Sequence, residues 1–346
     1  MSVNAAERGA MERALRIARN GPRGVNPQVG AVILSADGDV LAEGWHRGAG
    51  TAHAEVDALS QLSAGGAEGA TAVVTLEPCN HTGRTGPCAE ALLAAGVARV
   101  VYALPDPNAE SSGGGERLRR AGVDVAQGLL EGPATELLES WLTVQRLGRP
   151  HVSVKWAQSL DGRAAAADGT SKWITGGAAR ADVHRRRADA DAIVAGIGTV
   201  LADDPALTAR QPDGSLYDDQ PLPVVLGARP VPEGAAVVRH PRRFVQYPGS
   251  DISGLLKDLR ERGVQRVFIE GGPTVASAFL REGLADEVLV YIAPTLLGAG
   301  SDGADRPALR SVGVDTITQQ RRLHIDAVQT LGDDLLVIAR PITKED

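Results

Sequence analysis

Cys79 and Cys88 are the only cysteines in the chain, and both lie in one short stretch that opens with Glu77-Pro78. Upstream, Thr51-Ala52-His53-Ala54-Glu55 sets a histidine and a glutamate two positions apart. One imidazole and two thiolates make three zinc ligands and leave the fourth tetrahedral position for a water, which marks a catalytic rather than a closed structural site. Zinc brings the pKa of such a water toward neutrality, and a nearby carboxylate that does not bind the metal can shuttle its proton. His53, Cys79 and Cys88 are therefore the candidate ligands, and Glu55 has the spacing for the proton carrier. The plainer reading, a packed histidine and two small buried cysteines, leaves the clustering of both cysteines in one motif unexplained.

A second constellation lies in the other half, where Val267-Phe268-Ile269-Glu270 runs into Gly271-Gly272-Pro273-Thr274. Glycines let a backbone approach a ligand closely, and the free N–H groups at a following helix start attract phosphate. The same Gly-Gly-Pro is also ordinary turn chemistry between a strand and a helix. It is not the Gly-x-Gly-x-x-Gly dinucleotide fingerprint, so no Rossmann fold is expected.

The elements that must position these residues can be read from periodicity. Met11, Leu15 and Ala18 share one helical face, which Gly21, Pro22 and Gly24 end. Residues 29–34 and 39–44 read as a β-hairpin turning at Ala36-Asp37-Gly38. A helix is expected over 53–62, a strand over 72–76 that stops at Glu77-Pro78, and a helix over 88–95 that stops at Gly96. Strands at 98–103 and 123–127, with a helical stretch at 116–120, continue the alternation of a sheet flanked by helices. The Gly-rich patch 111–115 is expected to be a loop. After a helix over 134–146, a boundary is expected at Gly148-Arg149-Pro150, giving domains 1–148 and 149–346. The second half repeats the theme, with strands at 151–157, 190–195, 223–226, 267–270, 287–292 and 335–340 and helices at 178–187, 252–262 and 274–281.

Composition sets the limits. At 346 residues the chain is about twice the ~150 residues at which single domains begin to divide. Its 43% hydrophobic and 23% charged content is that of a soluble globular protein. The 36 basic against 43 acidic side chains and a pI near 5.6 argue against a nucleic-acid partner. No apolar run reaches membrane-spanning length, and the first 21 residues show no secretory signal. A cytoplasmic protein is expected, with both cysteines kept as thiols or metal ligands.

His-x-Glu followed by Pro-Cys and a second Cys is the zinc deaminase signature. The general signature separates its cysteines by two residues, whereas eight intervene here. The stretch from Glu77-Pro78-Cys79-Asn80-His81 through Arg84 to Gly86-Pro87-Cys88 resembles the long inter-cysteine loop of the riboflavin-biosynthesis pyrimidine deaminases. Asn26-Pro27-x-Val29-Gly30 and His46-x-x-Ala49-Gly50 match the same pattern. In the second half, the stretches Lys155-Trp156-Ala157-Gln158-Ser159-Leu160-Asp161-Gly162-Arg163 and Ser171-Lys172-Trp173-Ile174-Thr175 resemble the family's reductase part. So do Gly198-Thr199 through Asp203-Asp204-Pro205, and Leu207-Thr208-x-Arg210. The whole chain is thus similar to the bifunctional diaminohydroxyphosphoribosylaminopyrimidine deaminase and 5-amino-6-(5-phosphoribosylamino)uracil reductase family.

That resemblance implies an α/β architecture: an N-terminal cytidine-deaminase-like αβα domain and a C-terminal dihydrofolate-reductase-like α/β domain. It implies zinc on His53, Cys79 and Cys88, Glu55 as proton shuttle, and Asn26, His46, His81 and Arg84 as substrate contacts, the last two of which also read as solvated loop residues. It implies NADPH lined by Ala157, Trp173, Thr199, Asp203 and the run Gly272, Pro273, Thr274, Val275, Ala276, Ser277 and Ala278. Ser171, Arg187, Leu207, Arg210 and Glu270 would hold the substrate, and Lys155 either contacts it or ends a strand. The choice of NADPH over NADH comes from the resemblance alone. Arg187 and Arg210 can offer the cationic forks a ribose phosphate needs. Of His184-Arg185-Arg186-Arg187, three are expected on a solvated helix face and one as a ligand, because neighbours on a helix point apart. Asn80, Gly86, Val25, Trp156 and Gly176-Gly177 depart from the family pattern.

The activity so implied is deamination of 2,5-diamino-6-(5-phosphoribosylamino)pyrimidin-4-one at C2, followed by hydride reduction of the ribosyl C1'. The partners expected are this small phosphoribosylaminopyrimidine and further copies of the chain, as a dimer or tetramer, with neither nucleic acid nor membrane. Two rivals remain: a nucleoside or tRNA-base deaminase with an accessory domain, and a non-catalytic zinc and nucleotide-binding sensor. Few aromatics and net acidity count against the first, and an intact Glu55 against the second.

Overall fold

The expected hairpin opens the first sheet: β1 (Gly30–Leu34) pairs antiparallel with β2 (Val40–Trp45) on one side and with β3 (Thr71–Leu76) on the other. The sheet continues with β4 (Arg99–Leu104) and β5 (Asp124–Gln127), both parallel to β3, in the order β2-β1-β3-β4-β5. The computed structural model describes residues 3–22, 26–48, 50–81, 86–301 and 303–342. The chain divides into two units, Met1–Gly148 and Arg149–Asp346.

In the first unit β3 and β4 are buried on both faces, as their near-continuous apolar runs require. Alternate side chains point to opposite faces. Val32, Val73 and Val101 pack against Met11, Leu15, Leu137 and Trp141 of α1 (Ala5–Ala18) and α5 (Glu131–Leu147). Ile33, Val74 and Val100 pack against Ala58, Leu92 and Leu118 of α2 (Ala54–Leu59), α3 (Cys88–Ala94) and α4 (Gly114–Arg120). The result is an αβα sandwich. Helix α1 starts on a reciprocal cap in which Asn4 Oδ1 accepts from the Glu7 N–H and Glu7 Oε2 from the Asn4 N–H, each at 2.9 Å.

The second unit holds an eight-stranded sheet. Its strands are β6 (His151–Ser159), β7 (Ala192–Gly196), β8 (Leu222–Leu226), β9 (Val245–Tyr247), β10 (Arg266–Ile269), β11 (Glu287–Ala293), β12 (Leu323–Leu331) and β13 (Asp334–Pro341). Their order is β12-β13-β11-β6-β10-β7-β8-β9. From β11 to β9 all neighbours are parallel, while β13 runs antiparallel to β11 and β12 to β13. Helices α8 (Ile252–Glu261) and α9 (Pro273–Arg281) cover one face, and α6 (Gly177–Asp189) and α7 (Ile197–Asp203) the other.

Three features differ from the expectations. Residues 114 and 115 of the Gly-rich patch are the buried first turn of α4 rather than loop. Strand β7 begins two residues later than expected; Asp191, just before it, accepts on its Oδ2 the Gln265 and Arg266 N–H groups at the start of β10, at 2.9 Å each. Strands β9 and β12 and helix α7 were not expected at all; in β12 Leu323, Ile325 and Ala327 alternate with His324 and Asp326, yet none of its side chains is buried. Among the described residues no helix is long and apolar enough to cross a membrane.

Candidate active sites

In the first unit the three candidate ligands arrive from three elements. His53 is the N-cap of α2, Cys79 follows the end of β3, and Cys88 is the first residue of α3. His53 Nδ1 lies 3.5 Å from Cys79 Sγ and 3.3 Å from Cys88 Sγ. All three donor atoms fall within 4.8 Å of one another, and among the described residues no other group of three or more His, Cys, Asp or Glu comes together in this way. Two soft sulfurs and one imidazole nitrogen at this spacing fit zinc. The Cys88 N–H donates to Cys79 Sγ at 3.3 Å. The Cys88 side chain donates to Cys79 and, with His53, lowers the Cys79 thiol against the effect of burial, while Cys88, which keeps the shared proton, is raised. The lowering favours the thiolate a metal needs.

Glu55 sits on the first turn of α2, 3% exposed, and burial pushes its carboxyl up to about 7. A carboxyl that exchanges its proton near neutrality suits general acid–base work. The helix carrying it can lie close to β2 only because residue 44 is glycine: a Cβ there would stand 2.4 Å from Ala58 N. Asn26 and His46 also reach this place. The His46 ring meets that of His53 edge-on at 5.4 Å. Its Nδ1 donates to Ala52 O at 3.1 Å, which leaves Nε2 to accept from Asn26 Nδ2 at 2.9 Å. His81 is exposed two residues beyond Cys79. Arg84 lies outside the described residues.

In the second unit the candidate residues gather beyond the C-terminal ends of the parallel strands, where open α/β sheets bind ligands. Thr199, on the helix after β7, accepts the Gly272 N–H at 3.0 Å, which ties α7 to the glycine turn after β10. Lys172 Nζ donates to Asp203 O at 2.8 Å, and beside it Trp173 is 70% exposed with the Arg180 guanidinium 4.9 Å from its ring centre. Gly271 and Gly272 allow close packing of the turn: a Cβ on Gly271 would meet Val275 Cβ at 2.5 Å, and one on Gly272 would meet Thr199 Oγ1 at 3.2 Å. The turn leads into the N-terminus of α9, the kind of helix start that attracts the phosphates of a nucleotide. The side chains of Val275, Ala276 and Ser277 are buried, and Ala278 packs on the same core, so that stretch offers a ligand its backbone. Ala157 is half-buried in β6 and packs against the α6–α7 face.

The substrate candidates form one connected group. Glu270 accepts from Arg187 Nε and Nη2 at 2.7 and 2.9 Å and from Lys155 Nζ at 3.2 Å. Burial would push its carboxyl up, but the Arg187 and Lys155 charges overcome that and hold it at about 2. Arg187 Nη1 donates to Thr208 O at 2.9 Å, and Thr208 Oγ1 accepts from Arg210 Nε at 3.1 Å. Leu207 is buried beside them with φ +55°. The fork of Arg187 is thus occupied by Glu270, and the exposed Arg210 is the cation presented outward. Ser171 is half-buried next to Lys172.

The expected solvated face over residues 184–187 does not form. Arg185 is exposed, but it and Arg186 both bond the buried Asp182, which also accepts from Tyr291 OH at 2.6 Å. His184 Nδ1 accepts the Arg210 N–H at 3.2 Å. Of the departures from the family pattern, Trp156 donates to Gln158 at 2.8 Å, and the Gly176 N–H donates to Asp334 at 2.7 Å. Two structural carboxylates went unread in the sequence. Asp161 accepts from Ser159 Oγ at 2.5 Å, Leu297 N at 3.1 Å and Gly298 N at 2.7 Å, joining the turn after β6 to the loop after β11. Glu77 plays a similar part beside Cys79. An Asp-Gly turn and an acidic residue before proline were the only local signals, and neither names a distant partner.

The chain matches two family models: the cytidine and deoxycytidylate deaminase zinc-binding region over residues 5–104, and the RibD C-terminal domain over residues 150–337. It is 50% identical to the riboflavin biosynthesis protein RibD of Mycobacterium tuberculosis, over 90% of each chain. With its Escherichia coli counterpart it shares 42% identity, over 85% of this chain and 89% of that one. A solved structure of Acinetobacter baumannii RibD matches with TM-score 0.85 and 39% identity, over 97% of this chain and 99% of the other. The deaminase/reductase from Thermotoga maritima matches with TM-score 0.85 and 33% identity, over 97% and 99%. A cytidine-deaminase-like unit followed by a dihydrofolate-reductase-like unit, with zinc and NADPH as cofactors, is the arrangement that the family resemblance implies. The chain belongs to the RibD family of bifunctional deaminase and reductase enzymes of riboflavin biosynthesis.

Proposed function

We propose that residues 1–148 deaminate 2,5-diamino-6-(5-phosphoribosylamino)pyrimidin-4-one at C2 and that residues 149–346 reduce the ribosyl C1' of the product. The observation that carries this reading is the convergence of His53, Cys79 and Cys88 beside the buried Glu55. Zinc held by those three residues supplies, when bound, a water acidic enough to attack at neutral pH. Glu55 takes the proton of the attacking water and delivers it to the departing C2 amino group, so ammonia leaves neutral. Asn26 and His46 orient the ring, their hydrogen bond fixing which His46 nitrogen accepts. His81 and Arg84 contact the substrate from the inter-cysteine loop.

In the second unit NADPH supplies the hydride when bound. The turn at Gly272, Pro273 and Thr274, with Thr199, Asp203, Trp173 and Ala157, holds the cofactor, and the backbone of residues 275–278 completes the cradle. Lys155, Glu270 and Arg187 form a fixed polar wall for the ring-opened sugar, flanked by Ser171 and Leu207. Arg210 receives its phosphate. The exposed edge strand β12 presents Leu323, Ile325 and Val328 to solvent, which supports a homo-oligomer in which a second copy covers them. The free thiols of Cys79 and Cys88 suit the cytoplasm.

Removing the metal separates the two activities. Protein stripped with a chelator is expected to release no ammonia, yet to oxidise NADPH at the untreated rate when given the already deaminated aminouracil. Added zinc restores ammonia release. Undiminished deamination by metal-free protein would overturn the reading.

A further inference from the structure

The turn that carries Cys79 is bonded to a segment far along the chain. Glu77 N donates to Leu104 O at 2.8 Å, and its carboxylate reaches forward with both oxygens: Oε2 accepts the Asp106 N–H at 3.1 Å and Oε1 the Gly115 N–H at 3.0 Å. On the other side of Cys79, Asn80 N donates to Ser111 O at 2.8 Å, and Asn80 Oδ1 accepts from Arg117 Nη1 at 3.1 Å. Between them the Pro78 carbonyl lies so close to Gly114 that a Cβ there would stand 1.8 Å from the oxygen. A Cβ on Gly115 would meet Tyr102 Oη at 2.9 Å. Cys79 O accepts the Ala89 N–H of α3 at 3.2 Å, so the same turn also sets the start of the helix that carries Cys88.

We infer that Glu77 is a positioning residue of the metal site, acting through the 106–117 segment to hold the Cys79 turn, and with it Cys88, at ligand spacing. This rests on the reading that His53, Cys79 and Cys88 bind zinc. The chemistry explains the residue type. Two backbone N–H donors on different peptides each need an acceptor, and Glu77 is 9% exposed, so water cannot readily replace either bond. Only a carboxylate offers two acceptor oxygens; an amide would set its NH2 against one of the donors. The two glycines serve the same contact: a side chain at residue 114 would strike the Pro78 carbonyl, and one at residue 115 would crowd Tyr102 Oη and the Glu77 carboxylate itself, 3.2 Å away.

The test compares wild-type protein with Glu77→Gln. Zinc affinity is measured by competition with a chromophoric chelator. The thiolate-to-metal absorption of cobalt(II)-loaded protein reports the ligand geometry. Outer partners of metal ligands are worth about 10- to 100-fold in metal affinity. Glu77→Gln is expected to bind zinc at least tenfold more weakly and to shift the cobalt band, while NADPH oxidation with the deaminated aminouracil stays at the wild-type rate. Arg117→Ala removes two exposed links, the bond to Asn80 and the ion pair with Glu90 of α3, leaves the Glu77 bonds in place, and is expected to lower zinc affinity by a smaller factor with the fold intact. It keeps the inference open to refutation if Glu77→Gln fails to fold. Wild-type zinc affinity and an unchanged cobalt spectrum in both variants would overturn the positioning role. Failure of the wild-type protein to bind zinc would instead overturn the site on which it rests.

Discussion

A Glu55→Gln protein is expected to keep its zinc and its reductase activity while releasing ammonia about 10²- to 10⁴-fold more slowly, the usual worth of a positioned general acid–base. The substitution is nearly isosteric, and a neutral amide in this buried place forgoes no solvation that the charged form had. Burial has already moved the Glu55 carboxyl up to about 7, so the amide resembles the protonated state in shape and charge. What it lacks is a proton to give and take. A stopped assay for ammonia, run beside metal analysis of the same sample, checks the result. Ammonia release at the wild-type rate with zinc still bound would remove Glu55 from the mechanism.

The second large effect is expected in the other unit. Arg187 and Glu270 are 15% and 16% exposed, and removing one member of such a pair leaves a buried charge with too little compensation. Arg187→Ala should therefore destabilise the second unit by about 3 kcal/mol, the lower end of the range for broken buried pairs, because Lys155 Nζ still stands 3.2 Å from Glu270. It should also raise KM for the aminouracil by about tenfold to a hundredfold, as loss of a charged hydrogen-bonding group would.

The pH dependence follows from the sign of the shift. With Arg187 present, the folded-state carboxyl of Glu270 lies at about 2 against an ordinary 4.5. Its contribution is complete above 4.5 and is lost as pH falls through 2. Without Arg187, burial favours the protonated acid, so the stability gap between variant and wild type should narrow as pH drops below 4.5. Chemical denaturation at several pH values measures it. A gap that widens with acid would mean that Glu270 is not held ionised by Arg187.

What could be read from the sequence divides along physical lines. The clustering of His53, Cys79 and Cys88 was legible because it draws on residue types that occur nowhere else in the chain in that combination. The hairpin of β1 and β2, the stripe of Met11, Leu15 and Ala18, and the glycine stop after α3 were legible because their signals are local. Glu77 was not, since its partners Asp106 and Gly115 lie 29 and 38 residues away. The residues at 184–187 show the same limit. Helical geometry gave the directions of their side chains, but not that Asp182 would gather two of the arginines with Tyr291, 109 residues distant. Strand β12 alternates Leu323, Ile325 and Ala327 with His324 and Asp326, a short signal that the fold does not match with burial, since it leaves these side chains largely uncovered.

The most direct measurement follows ammonia release and NADPH oxidation together, on zinc-loaded protein given 2,5-diamino-6-(5-phosphoribosylamino)pyrimidin-4-one. The account predicts both, with oxidation lagging behind ammonia and matching it in final amount. NADPH oxidation that precedes ammonia, or a preparation that binds zinc and NADPH and yields neither product, would contradict it.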